Sequence, residues 1–390
     1  MDRRDFLMAF DKVVDSSQLN SAMTYTAGRI REKTGETASI PWNATKGFGD
    51  AIDAITAGSQ KQIKVHTNAG ASVTATMGTQ SVSGTAGTDG ICLLDVPENG
   101  DWTVSAVSGT QTADPQVVTV SDVFDVSVSF IPSTLNDNSW ETIRAVSDRG
   151  EGENYWSVGD CKEITLSGTV GELTLSDYTT YAFILGFNHN AALEGDNRIH
   201  FQLAKTDLSN GTDVCLCDSS YNSVGSSPAF RMNISNTNSG GWEDSVMRTA
   251  ICGTNLTSYA GTIIAVIPAA LRAVLKSVTK YTDNTGNGGT TSSAVTATTD
   301  YFFPLAEFEV FGSISCANTN EKSKQAQYAY YAAGNSKIKY KYDATTTAAG
   351  WWLRSPRTNY STFFIYVDSS GSVADHYART SLGFAPGFCV

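Results

Sequence analysis

The sequence contains few charged residues, and the positive ones are in the minority. Asp and Glu number 39 against 27 Lys and Arg, which gives a formal net charge of −12, and charged residues make up only 17% of the 390. Since phosphates are neutralised by clustered Lys and Arg, this balance argues against a nucleic-acid partner. Low charge combined with abundant Gly, Ser, Thr, Asn, Tyr and Phe favours short strands joined by turns, and therefore a mostly β protein.

Long apolar runs are also missing. A membrane-spanning helix needs about 20 apolar residues, and the nearest candidate, Ile263–Leu271, is short and contains Pro268. The segment Met1–Phe10 resembles a twin-arginine export signal, but Asp11 and Asp15 interrupt the apolar core that such a signal requires. We therefore expect a soluble protein with no export signal and no membrane insertion.

The cysteines lack the paired spacing of a zinc site and the density of a disulfide framework. Their number is odd, and they are dispersed, which predicts reduced and mostly buried thiols made in a reducing cytosol. Cys215 and Cys217 would share one face of a strand, so metal binding there is the alternative. The seven are Cys92, Cys161, Cys215, Cys217, Cys252, Cys316 and Cys389.

Residues 1–59 show apolar residues at helical spacing, which predicts short amphipathic helices that would not be stable alone. The stretches Ala27–Gly35 and Gly49–Ile55 resemble a short helical motif of phage tail and tail-fibre proteins. The resemblance implies an attachment segment that contacts other virion proteins. The alternative is an ordinary small helical hairpin.

Residues 60–132 change to a period of two, with Gly and Asp-Gly turns between the runs, which predicts five to seven short strands in a small β-sandwich. The runs beginning at Gly70, Thr88 and Gly100 are similar to immunoglobulin-like spacer modules of phage tail proteins, in which Trp102 would be a core residue. Nothing in this segment suggests chemistry, so a spacer is the favoured interpretation. The Ile131-Pro132 break marks its end.

Residues 133–390 have sparse regular periodicity. One helix is predicted over Ile267–Lys280, where Leu271, Val274, Leu275 and Val278 line one face. The polar, Gly-rich stretch from Asp283 to Thr299 predicts a mobile surface loop before a strand near Tyr301.

Several phrases of this segment occur in the order of a widespread C-type-lectin-like family, related to the variable proteins of diversity-generating retroelements and to the formylglycine-generating-enzyme fold. The resemblance implies an α+β binding head over residues 133–390: a twisted antiparallel sheet, two flanking helices and long irregular loops. The matching phrases are Trp156–Asp160, Ile184–Asn190, Ile199–Gln202, Gly240–Arg248, Phe302–Gly312, Trp351–Pro356 and Gly383–Cys389.

The last forty residues predict a hairpin of Phe363–Val367 with Ser369–Val373. Two runs beside it are polar and aromatic, with no apolar stripe to bury, and they have the composition of a paratope. By resemblance they correspond to the variable region that displays ligand-binding side chains, with Tyr360, His376, Tyr377 and Arg379 as anchors. The alternative is that they are simply solvated loops. The predicted ligand-binding residues are Arg357, Thr358, Asn359, Tyr360, Ser361, Asp375, His376, Tyr377, Arg379 and Ser381.

Catalytic and metal-binding interpretations are weaker. A related fold generates formylglycine with a cysteine pair, but near Cys316 and Cys389 no base or cation would lower a thiol pKa. His189 and His200 fit hydrogen-bonded core histidines better than ligands. Acidic residues could hold calcium, yet no Asp-x-Asp-x-Asp loop is present, so no metal and no cofactor is predicted. The acidic candidates are Glu194, Asp196, Glu243 and Asp244.

We therefore expect a nonenzymatic virion protein, made in the host cytoplasm, whose head binds a glycan or protein on a bacterial surface; the resemblance implies that a retroelement could diversify this head. A trimer is expected because linked weak heads gain avidity. The main alternative is a purely structural fibre or decoration protein, and a cell-surface adhesin is disfavoured by the missing export signal.

Overall fold

A computed structural model describes residues 61–109, 111–121 and 125–390. The predicted helical segment 1–59 lies outside the described residues. The described chain is mostly β, with short strands and shorter helices. It separates into two compact units, one formed by residues 61–65, Ser72–Gly84 and Cys92–Val128, the other by His66–Ala71, Thr85–Ile91 and Ser129–Val390.

The first unit is built from short strands in two sheets. One sheet has the order β4-β1-β8; the other has the order β3-β2-β5-β6, and β7 also pairs with β5. The strands are β1 Lys61–His66, β2 Ser72–Met77, β3 Gln80–Thr85, β4 Ile91–Val96, β5 Gly100–Ser108, β6 Gln111–Thr112, β7 Gln116–Val120 and β8 Asp125–Ser129.

Alternation along these strands produces the core of the first unit. In β5, Trp102 and Val104 are fully buried while Thr103 between them is exposed, because successive side chains of a strand point to opposite faces. Val73 and Ala75 of β2, the antiparallel neighbour of β5, are equally buried. The predicted strand runs and the core position of Trp102 are confirmed.

The second unit contains four sheets. The largest has the order β15-β21-β11-β10-β9 with antiparallel neighbours. The others are β12-β16-β17, the hairpin β13-β14, and β18-β19-β20. The strands are β9 Cys161–Val170, β10 Leu173–Phe187, β11 Ile199–Lys205, β12 Val214–Cys215, β13 Val278–Asp283, β14 Val295–Asp300, β15 Phe302–Phe303, β16 Lys339–Lys341, β17 Ala344–Ala349, β18 Trp351–Pro356, β19 Phe363–Val367, β20 Val373–Tyr377 and β21 Gly387–Cys389.

Helices of the second unit are short. The longest α-helix of the described chain is α1, Trp140–Asp148, which begins where the Ser139 hydroxyl accepts a hydrogen bond from the Thr142 amide. The others are α2 Gly152–Tyr155, α3 Ala191–Glu194, α4 Ile263–Val266, α5 Ala269–Val274, α6 Glu307–Phe311 and α7 Ala329–Ala332, with 3₁₀ turns at Leu135–Asp137, Ser292–Ala294 and Thr319–Ser323 and a π turn at Met247–Cys252.

Aromatic side chains join α1 to the five-stranded sheet. The Trp140 ring lies edge-on to Phe201 of β11 at 5.6 Å and to Phe388 of β21 at 6.3 Å. Phe201 and Phe388 stack on each other at 5.3 Å. Such pairs contribute about 0.5–1.5 kcal/mol beyond the area they bury, so this cluster fixes α1 on the sheet.

Two sequence predictions for this unit are wrong in part. The helix predicted over Ile267–Lys280 exists only as α5, because the chain is extended at Leu275 and enters β13 at Val278. The predicted mobile loop from Asp283 to Thr299 includes most of β14, which pairs with β13 along its length. Tertiary pairing has overridden a pattern that suits both helix and strand.

The expectations for the cysteines and the two histidines are confirmed. All seven cysteines are free thiols, six of them buried and Cys316 half-buried. His189 and His200 are core residues with 7% and 0% exposure. In the described part of the chain, every helix is too short or too polar to cross a bilayer.

Candidate ligand-binding face

The hairpin of β19 and β20 brings aromatic and ionic side chains to one face of the sheet. Its register sets Phe363 opposite Tyr377 and Ile365 opposite Asp375, and directly opposed residues share a face. The Phe363 and Tyr377 rings are 4.7 Å apart. A hairpin is present as predicted, but its second strand is Val373–Tyr377 and the predicted partner Ser369–Val373 contains the turn, so Asp375, His376 and Tyr377 belong to a strand rather than to a loop.

The segment between β18 and β19 extends this face. The Tyr360 ring lies 5.5 Å from Phe363, and the Arg357 guanidinium lies 5.4 Å from the Tyr360 ring centre. Arg357 Nε is 3.0 Å from Asp375 Oδ2. Tyr360 is 51% exposed and Tyr377 45% exposed. We call Arg357, Tyr360, Phe363, Asp375 and Tyr377 the aromatic face.

Of the remaining predicted ligand-binding residues, Asn359, Ser361 and Arg379 are exposed. Thr358 and Ser381 are buried, so their predicted surface position is wrong. The Thr358 hydroxyl donates to the Cys316 carbonyl, and the Ser381 hydroxyl donates to Asp218 Oδ1. Polar residues that pair internally in this way need no water, which is why composition alone misplaced them.

The predicted anchor His376 lies on the other face of the sheet, opposite Phe364. Its Nδ1 accepts a hydrogen bond from the Tyr377 amide at 2.9 Å and lies 3.0 Å from the Thr380 hydroxyl. Burial lowers the pKa of His376, against the opposing effect of Asp375. A half-buried imidazole bonded to its own turn supports the hairpin rather than extending the aromatic face.

Asn238, which the sequence analysis missed, fixes the segment that carries Tyr360. Its fully buried side-chain amide donates to the carbonyls of Arg357, Tyr360 and Phe363 at 3.2, 2.8 and 2.9 Å. Its backbone amide donates to the Ser361 carbonyl. One buried residue therefore sets the path of the loop from several points.

The loop after β13 packs directly beneath this segment. The Asn359 amide donates to the Gly288 carbonyl at 2.9 Å. Gly288 has φ +72°, and a Cβ there would lie 2.8 Å from the Tyr360 amide nitrogen. Asp283 caps the loop by accepting the amides of Thr285 and Gly286. The glycines predicted as a sign of mobility instead allow close backbone contact.

The buried carboxylate of Glu307 supports the segment between β18 and β19 indirectly, through the turn that contains Cys316. Glu307 accepts hydrogen bonds from the amides of Ser315, Cys316 and Ala317 at 2.5–3.2 Å. The Cys316 carbonyl in turn accepts from Arg357 Nη1, the Thr358 amide and the Thr358 hydroxyl. The carboxylate thus organises the turn against which the aromatic face is held.

A network of buried charges lies deeper in the second unit. Arg354 forms two parallel bonds to Glu309, of 2.5 and 2.8 Å, and the Lys280 ammonium bonds Glu309, Glu194 and the Tyr328 hydroxyl at 2.9, 2.6 and 2.8 Å. Burial alone would raise the pKa of Glu309, but Arg354 and Lys280 hold that pKa well below its usual value. Two cations balance two carboxylates with good geometry, which burial of charge requires.

Among the described residues, His189, Glu194 and Glu309 offer ligand atoms within 4.8 Å of one another. The Lys280 ammonium already bonds both carboxylates, so a metal ion would have to displace it. Burial, with Lys280 nearby, lowers the pKa of His189 to about 3, which keeps the imidazole neutral. The His189 ring stacks on Tyr328 at 3.7 Å. This chemistry fits a structural ion network better than a metal centre.

Cys316 and Cys389 are poor nucleophiles in this setting. Cys389 lies in the core with Sγ 3.3 Å from His200 Nδ1, and burial raises its pKa to about 12. Burial also raises the pKa of Cys316. Because the thiolate is the reactive form, raised pKa values suppress thiol chemistry at both positions.

The comparison with protein families covers the part of the chain that carries the aromatic face. Residues 226–390, less than half of the chain, match a family described as a domain of unknown function, DUF6273. Among curated proteins, none matches the sequence. The C-terminal part of the chain is therefore similar to a family whose description assigns it no activity.

Proposed function

We propose that the chain is a virion receptor-binding protein whose C-terminal head binds a bacterial surface ligand, a glycan or a protein, through the aromatic face. The observation that carries the proposal is that two tyrosines are exposed on this face and that the loop of one of them, Tyr360, is held by buried hydrogen bonds. Tyr360 and Tyr377 offer large, amphipathic contact area, and Asn238 holds the loop of Tyr360 in place. Preorganised aromatic anchors are what binding surfaces use to limit the entropy cost of association.

The fold that we propose for residues 133–390 is C-type-lectin-like. The five-stranded antiparallel sheet, α1 packed on it and the long loops between strands support this assignment. Residues 60–132 would then be an immunoglobulin-like spacer, and residues 1–59 a segment that contacts other virion proteins in a trimer. Diversification of exposed positions by a retroelement would be compatible with this fold, because Asn238 holds the backbone of the Tyr360 loop and not its side chains.

Binding rather than catalysis is the proposed role. The thiols at Cys316 and Cys389 have raised pKa values, and His376 is engaged within its own hairpin. Arg357 and Asp375 neutralise each other on the aromatic face. These groups can orient a polar ligand but are not arranged as a nucleophile and its base.

The test compares the wild-type head with the Tyr360→Ala, Tyr377→Ala double variant, on arrays of purified bacterial surface polysaccharides and on intact cells of a bacterial panel. Aromatic anchors that become buried on binding contribute about 2 kcal/mol or more each, so the double variant should lose about 4 kcal/mol, which is roughly 1,000-fold in affinity. Leu208→Ala, which removes an exposed apolar side chain outside the face, serves as the control and should bind normally. Equal binding by all three proteins would refute the proposal and favour a purely structural head.

A further inference from the structure

A polar cleft of about 440 Å³ opens between the end of α1, the loop before β11 and the segment before β13. Its volume falls in the range of small-molecule sites, which is about 300–1,000 Å³. None of the residues that line it belongs to the aromatic face. The residues that matter for its chemistry are Arg144, Asp148, Arg198, Lys276, Ser277 and Tyr301.

Internal bonds hold two of its cations in position. Arg144 Nε bonds both oxygens of Asp148, at 2.9 and 2.8 Å, and Arg144 Nη1 donates to the Val274 carbonyl at 2.9 Å. The Lys276 ammonium bonds Asp148, the Ser147 hydroxyl and the Asn197 carbonyl. Lys276 has therefore used its three donors, whereas Arg144 has used Nε and one N–H of Nη1 and keeps both N–H groups of Nη2.

The loop before β11 is shaped to hold the third cation. Arg198 donates from Nε and Nη2 to the Ser277 carbonyl at 3.1 and 3.0 Å, and from Nη1 to the Asp196 carbonyl at 2.7 Å. Gly195 has φ +100°, and a Cβ at this position would overlap Arg198 Nη1. Asn197 also has a positive φ, of 53°. The backbone adopts conformations that side chains disfavour in order to place this guanidinium.

Unused donors remain in the cleft after these bonds are made. Within the part of the chain that the structure describes, Arg144 Nη2 and the hydroxyls of Ser277 and Tyr301 have no protein partner, and Arg198 Nη1 and Nη2 each keep one N–H. The lining has three cations and two carboxylates, so its local charge is 3 − 2 = +1. This excess is notable in a chain of net charge −12.

We propose that this cleft binds a carboxylate-bearing sugar. The planar guanidinium groups of Arg144 and Arg198 suit a carboxylate, which they can bind with paired N–H donors. A local charge of +1 matches a singly charged ligand better than a doubly charged phosphate. The Ser277 and Tyr301 hydroxyls and the exposed Asp196 supply donors and acceptors for sugar hydroxyls. The site is independent of the proposed function of the aromatic face.

The test is a saturation-transfer NMR titration of the whole chain with D-galacturonate, with its neutral counterpart D-galactose and with acetate. D-galacturonate should bind saturably, whereas D-galactose and acetate should bind at least about tenfold more weakly, since each lacks half of the recognised groups. Trigalacturonate, added as a fourth probe, distinguishes a polysaccharide ligand from a free sugar acid. Tighter binding of trigalacturonate than of D-galacturonate indicates a polysaccharide, and equal binding indicates a free sugar acid. Either result supports the proposal.

Arg144→Gln should weaken D-galacturonate binding by about tenfold or more, and Tyr301→Phe, which removes one hydroxyl, by about two- to tenfold. Lys322→Gln removes an exposed cation outside the cleft and should change nothing. The Tyr360→Ala, Tyr377→Ala variant should retain full D-galacturonate binding, which separates this site from the aromatic face. Failure of D-galacturonate to bind, equal binding of acetate, or binding that survives both cleft substitutions would overturn the proposal.

Discussion

Replacing Asn238 by Asp tests whether one buried amide fixes the loop of the aromatic face. Asp has the same shape, but it replaces the donors that serve three carbonyls with an acceptor, in a site with no exposure. An unsatisfied buried acceptor costs about 1–3 kcal/mol. The two shorter bonds, to Tyr360 and Phe363, therefore predict a loss of about 3 kcal/mol in the free energy of unfolding. That loss corresponds to roughly 6–12 °C in melting temperature, at about 2–4 °C per kcal/mol.

The assay combines thermal unfolding with hydrogen exchange of the peptide that spans residues 357–363. Asn255→Asp is the matched control, because Asn255 is exposed and its Oδ1 only accepts hydrogen bonds, from Thr257 and Ser258, which an Asp side chain can equally accept. The control should stay within about 0.5 kcal/mol of the wild type. A melting temperature and an exchange rate in Asn238→Asp that match those of the control would refute the role assigned to Asn238.

Three further predictions concern the buried Lys280 and Glu321 and the loop glycine Gly288 of the second unit. Lys280→Met leaves Glu194 and Glu309 without their shared cation and should lower the free energy of unfolding by about 3–5 kcal/mol in chemical denaturation, whereas Lys324→Met at an exposed site should not. Burial raises the pKa of Glu321 to about 7 from 4.5, so the folded state holds an extra proton between these values and stability should fall as pH rises from 4.5 to 7. The fall is roughly 3 kcal/mol at about 1.36 kcal/mol per pH unit, and a pH series on Glu321→Gln should lack it. Gly288→Ala, at φ +72° and close to the Tyr360 amide, should cost about 1–3 kcal/mol and speed exchange of the 357–363 peptide; unchanged exchange would contradict the close packing.

Alternation was enough to predict the strands of the first unit, because Trp102 and Val104 face one core and their neighbours face water. It failed at Ile267–Lys280. Leu271, Val274 and Val278 are all buried there as the pattern requires, but a contact made with β14 decides that Val278 is in a strand. Local sequence carries no information about that partner.

The sequence did not predict the buried charged residues of the second unit. From the sequence alone, Lys280, Glu309 and Arg354 would be expected at the surface, because charged side chains are almost never fully buried unless they are paired. Their pairing joins positions far apart in the sequence, at separations of 29 and 45 residues. The aromatic face was partly predictable because Tyr360 and Tyr377 are exposed aromatics in polar runs. The Asn238 support was not, because nothing local distinguishes a buried asparagine from an exposed one.

The way in which the 357–363 loop is held has a practical consequence for protein engineering. Asn238 donates hydrogen bonds to backbone carbonyls, which every amino acid possesses. The side chains of Tyr360 and Ser361 take no part in these bonds. Randomised libraries at these two positions should therefore retain the wild-type backbone path while presenting new chemistry. Asn359, at φ +65°, is the exception and should be restricted to Asn, Asp and Gly in any such library.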